Sequence, residues 1–152
     1  MTDGELNMKT KTRLLLALVV VTTVYSCLAS GQTSDRSEEA IRAILDTGFI
    51  DGHYLKEIGP MGDAAAVAVT RIMAGRTLTS ADIDNVLVVL GSAFADPSMV
   101  QNVSDRQPRT ALFVLQCLAS STNDLEQKKR IAQRRQYVTD QYTKSMHGLP
   151  QK

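Results

Sequence analysis

Thr79-Ser80-Ala81-Asp82-Ile83-Asp84-Asn85-Val86-Leu87-Val88-Val89-Leu90-Gly91-Ser92-Ala93-Phe94 is the stretch on which the fold turns. Its centre, Val86 to Leu90, is rich in β-branched and aliphatic residues and reads equally well as a buried strand. Its edges decide against that. Thr79 and Asp82 resemble a helix capping box with Asp in place of Glu, and Ile83 is followed by Val86, Leu87, Leu90 and Phe94 at 3, 4, 7 and 11 residues. Asp96-Pro97 then supplies a fresh N-cap with proline in the first helical position. The other β-prone run, Leu112 to Leu115, poses the same choice, and no hairpin turn signal joins the two. The expectation is an all-α chain.

Working outward, the same signals lay down a row of helices. A first helix is expected from about Asp35 to Asp46, with Ser34 as N-cap, Glu38 and Glu39 in its first turn, and Ala40, Ile41, Ile44 and Leu45 as its apolar face. Thr47-Gly48 ends it, Gly48 being suited to the left-handed C-cap. A short turn of helix follows at His53–Ile58, and Gly59-Pro60-Met61-Gly62 breaks it. Asp63 to Met73 comes next, with small residues nearly all round, which implies close packing on both sides. After a short turn from Pro97 to Val100 and a polar loop over 101–107, Arg109 to Leu118 leaves almost no polar face and is expected between other helices. Asn123 and Glu126 suggest another near-capping box for a last helix to about Lys144, with Leu125, Ile131, Val138 and Tyr142 as a thin stripe. Asp124–Lys128 and Glu126–Arg130 have the favourable order for ion pairs one turn apart. The tail from Ser145 to Lys152, with Gly148 and Pro150, is expected to fray.

The first 31 residues read as a targeting segment. Lys9, Lys11 and Arg13 form a basic start, Leu14 to Val21 is unbroken apolar, and small residues follow at Ser26, Ala29 and Gly31. Such a core suits a bacterial-type signal peptide and falls short of the roughly 20 residues of a membrane span. Either Met1 or Met8 would serve as the start. Val24-Tyr25-Ser26-Cys27 resembles the bacterial lipoprotein box, with Tyr25 departing from the usual small residue. Export to the periplasm or the medium is the leading expectation, and lipidation of Cys27 with membrane anchoring is the alternative.

The whole chain of 152 residues carries 17 basic and 16 acidic side chains, with two cysteines and no tryptophan. That balance excludes a polybasic nucleic-acid tail, and two cysteines make no disulfide framework. The distribution is uneven: residues 32–105 hold 5 basic and 11 acidic side chains, and residues 106–152 hold 9 basic and 3 acidic. A single helical domain over residues 32–144 is large enough to bury a core without staples.

Leu55-Lys56-Glu57-Ile58-Gly59-Pro60-Met61-Gly62-Asp63-Ala64-Ala65-Ala66, and Ala93-Phe94-Ala95-Asp96-Pro97 followed by Pro108-Arg109-Thr110-Ala111-Leu112, give the row a likeness. It resembles the HEAT-repeat family of α-solenoids over roughly residues 36–143. The resemblance implies a short right-handed stack of antiparallel helix pairs that binds and scaffolds and has no catalytic residues to carry over. No clean period near 40 residues recurs, and a small irregular helical bundle is the alternative architecture.

Candidate sites are few. Lys128-Lys129-Arg130 with Arg134-Arg135 is the one concentrated run, and Lys128, Lys129, Arg134 and Arg135 are the expected basic face for a protein partner of acidic character. Nucleic acid is not the expected partner. The charge asymmetry also allows weak head-to-tail self-association. The nearest enzymatic alternative, hydrolytic or metal-dependent, centres on Asp51 and His53, with Glu57 close by. Metal sites want three or four converging ligands, so neither metal nor cofactor is expected, and no catalytic residue is assigned. Cys117 reads as a small core residue, and Asp82 and Asp84 point to different helix faces. Asn102-Val103-Ser104 matches the N-glycosylation sequon.

Overall fold

The computed structural model describes residues 35–147, so the expected leader with Cys27, the expected Ser34 cap and residues 148–152 lie outside the described residues. What it describes is all-helical. Six α-helices, α1 (Asp35–Thr47), α2 (Gly52–Ile58), α3 (Asp63–Met73), α4 (Ser80–Ala93), α5 (Arg109–Ser121) and α6 (Leu125–His147), are joined by loops that include 3-10 turns at Pro97–Met99 and Val103–Arg106.

The β-prone stretch is the central helix. Thr79 closes the capping box at its head: its hydroxyl accepts from the Asp82 amide at 3.1 Å, and the Asp82 carboxylate accepts from the Thr79 amide at 2.8 Å. Donation from the Thr79 hydroxyl, then from the Thr79 amide, holds the Asp82 carboxyl below its ordinary pKa. Inside α4, tertiary burial overrides β-propensity: Val86, Val89 and Leu90 are sealed in the core, and Phe94 closes its end. Four helices pack on it, α1, α2, α3 and α6. The side bearing Asn85 meets α1, where its amide donates to the Leu45 carbonyl at 2.9 Å. A separate stripe of Ser80, Asp84 and Gly91 meets α6, and α3 packs on α4 as well.

The contacts define layers. α3 packs on α4 and α5 on α6, while α3 also meets α5 and α4 also meets α6. Short connections between packed neighbours make these antiparallel hairpins, set side by side. α1 lies against α4 and α3, and α2 against α1 and α4. Ion pairs lace the α1 side: Glu38 binds both Arg42 and Arg71, and Arg76 reaches Asp46 at 3.3 Å. Being exposed, they contribute only about 0–1 kcal/mol each.

One junction ties the two hairpins together. α5 begins at a Pro108 that offers no side-chain cap. Asp63, at the head of α3, supplies one from another helix: its carboxylate accepts from the Thr110 amide at 2.9 Å and the Ala111 amide at 2.8 Å. Beside it Gly62 has φ +55 and ψ −128, and the space a Cβ would take there is filled by the Asp105 carbonyl and Val100.

The structure corrects several expectations. The polar loop over 101–107 holds the second 3-10 turn, with Asn102 accepting from the Ser104 amide at 3.2 Å. α5 runs on to Ser121 and is not enclosed all round: Phe113 is exposed, and Leu112 and Cys117 are half-buried. The cap of α6 is Asp124 and not Asn123, its carboxylate accepting from the Glu126 and Gln127 amides at 2.9 and 3.2 Å. Leu125, 79% exposed, leaves the apolar stripe, and Gln127, 1% exposed, takes its place. The Gln127 amide donates to the Ser80 carbonyl at 3.1 Å, so a polar side chain is buried with its donor satisfied. Arg130 pairs with Asp84 of α4 at 3.3 Å and not with Glu126. α6 also continues through Ser145, Met146 and His147, past the Lys144 at which fraying was expected.

Candidate functional site

The basic run of α6 was expected to form one face, and the helix distributes it over several. Gln127, Ile131 and Val138 are the buried positions and define the inward side. At about 100° per residue, Lys128 and Arg135 fall on one flank of that side, Arg130 and Arg134 on the other, and Lys129 opposite the core. Lys128, Lys129 and Arg135 are exposed. Arg130 is occupied by Asp84.

Arg134 departs furthest from the expectation. It is half-buried against α4, its guanidinium stacked over the Tyr137 ring at 5.4 Å from the centroid. The guanidinium rests where a Cβ on Gly91 would stand, so the contact exists only because α4 carries glycine there. Burial lowers its pKa from the ordinary arginine value, and the phenol of Tyr137 pushes it back up. The sequence held one sign of this. A glycine inside a helix costs about 1 kcal/mol relative to alanine and asks for a packing reason.

The second candidate centre has a different use. Asp51 is the N-cap of α2, its carboxylate accepting from the His53 amide at 2.8 Å and the Tyr54 amide at 2.9 Å. His53 is exposed, its ring tilted against Tyr54, and the Glu57 carbonyl accepts from the Ser37 hydroxyl at 3.3 Å. Asp51 and His53 therefore meet through a backbone amide, the contact of a helix start. Among the described residues no three His, Cys, Asp or Glu side chains converge closely enough to hold a metal ion.

No protein family, curated protein or solved structure matches this chain. Cys117, placed in the core on sequence, is half-buried, and desolvation raises its thiol pKa, which disfavours the thiolate. Asp82 and Asp84 do separate things, one capping α4 and the other pairing with Arg130. The sequon Asn102 is exposed, with its side-chain oxygen engaged by the Ser104 amide and hydroxyl. No helix among the described residues is long and apolar enough to cross a membrane.

Proposed function

We propose that this chain is an exported, non-catalytic interaction module that engages an acidic protein through α6. The observation that carries the reading is the exposed trio Lys128, Lys129 and Arg135, which stands in a segment of 9 basic and 3 acidic side chains. Such charges steer approach and select partners more than they add affinity. The side-by-side hairpins α3–α4 and α5–α6 support a short HEAT-like stack, an architecture suited to presenting helix faces. The basic start and apolar core of residues 9–21 support export.

The test joins three substitutions, Lys128→Glu, Lys129→Glu and Arg135→Glu. None of these side chains is buried, so the melting temperature should stay within a few degrees of the parent. Partner recovery in a pull-down from the exported fraction of the native host should fall several-fold, and capture by the parent should weaken as salt is raised. Equal recovery by both proteins would reduce the trio to a solvated helix surface. The intact mass of protein from the native host tests export separately, since a mature chain still beginning at Met1 or Met8 contradicts it.

A further inference from the structure

We propose that Arg134, on the flank of α6 that faces α4, is an anchoring contact that receives a glutamate or aspartate carboxylate of the acidic protein partner, an inference that rests on the reading of α6 as the partner-binding helix. Arg106 and Arg134 are the two half-buried arginines among the described residues. Arg106 donates to the Val100 carbonyl at 3.1 Å. Three other arginines reach a carboxylate on a neighbouring element: Arg71 has Glu38, Arg76 has Asp46 and Arg130 has Asp84. Arg134 has five N–H donors and no hydrogen bond or ion pair among the described residues, only the face of Tyr137.

A cation partly withdrawn from water without a counter-ion is a cost that the fold carries, and an incoming carboxylate relieves it through charge-assisted hydrogen bonds. The guanidinium is also already placed. The Tyr137 ring covers one face and the Gly91 notch seats its end, so little side-chain freedom remains to be lost on binding. A planar fork held in this way matches a planar carboxylate in two parallel hydrogen bonds, which the point charge of a lysine does not reproduce. Lys128, Lys129 and Arg135, on other sides of the same helix, then supply longer-range attraction, and Arg134 supplies the geometry of the contact.

The experiment titrates the full chain with a short oligo-glutamate peptide, and separately with inorganic phosphate, following heat and the Arg134 Nε–Hε resonance. Arg134→Lys retains the charge and loses the fork. Gly91→Ala retains the arginine and fills its seat, displacing only the far end of a flexible side chain. Each is expected to weaken peptide binding by about tenfold or more with the helical signal intact, and the peptide should shift the Nε–Hε resonance of the parent. Parent-like binding by both variants overturns the role of Arg134, and leaves the proposed function standing if Lys128→Glu with Lys129→Glu abolishes binding. Failure of the parent to bind the peptide overturns both. Phosphate binding as tightly as the peptide overturns the assignment to a carboxylate.

Discussion

Gly62→Ala is expected to destabilise the fold by about 2–6 kcal/mol, the sum of two costs that cannot relax independently. The first is conformational. Gly62 has φ +55 with ψ −128, where a side chain costs roughly 1–3 kcal/mol. The second is steric. A Cβ there collides with the Asp105 carbonyl and crowds Val100, and overpacking of this kind typically costs about 1–3 kcal/mol. The obstacle is backbone, so no rotamer change clears it. The loss is a large part of the roughly 5–15 kcal/mol that stabilises a typical domain. Urea unfolding followed by circular dichroism measures it. A change below about 1 kcal/mol would mean that the 3-10 turn Val103–Arg106 does not press on Gly62.

The neighbouring residue carries the second large effect. Asp63→Ala strands the amides of Thr110 and Ala111 at an α5 terminus that has no cap of its own, at a cost of about 2–4 kcal/mol. Asp63→Asn keeps one acceptor and should lose roughly half of that. The native carboxylate is itself under tension. Desolvation raises its pKa, the Ala111 and Thr110 amides pull it down, and the charge of Asp105 adds to the rise. A folded pKa above the unfolded one means that the native state binds the proton more tightly. The contribution of this group to stability is therefore full below the unfolded carboxylate range and declines as pH rises through its folded pKa. Comparison of the parent with Asp63→Asn across that acid range should show this decline in the parent alone. Parallel pH profiles for the two proteins would contradict it.

The features that could be read from the sequence are those completed within one turn of chain. The Thr79–Asp82 box, the Asp96 cap before Pro97 and the left-handed Gly48 use partners at most four residues away, and all stand as expected. The misses have long reach. Asp63 bonds to amides 47 and 48 residues on, Gln127 to a carbonyl 47 residues back, and Arg130 takes a carboxylate from α4 in place of the one a turn before it. Asn123 and Asp124 are both good caps, and nothing local chooses between them. For the candidate site, composition located the basic run, but its division into exposed and half-buried members depends on how α6 is rotated against α4. That rotation is set by Gln127, Ile131 and Val138 together with the Gly91 notch.

The ring of neighbours around α4 bears on how the molecule comes apart. α1 and α2 on one flank, and α6 on the other, hold α4 through separate stripes of its surface, so either flank can lift while the other still covers the helix. The chain is then expected to open by partial steps, with only complete unfolding baring the centre. Amide protons record such steps. Those of Val89 and Leu90 should exchange with deuterium most slowly, at a rate tied to global unfolding, and those of α1 and the end of α6 should exchange earlier and independently of each other. Uniform exchange along the chain would instead indicate one indivisible cooperative unit.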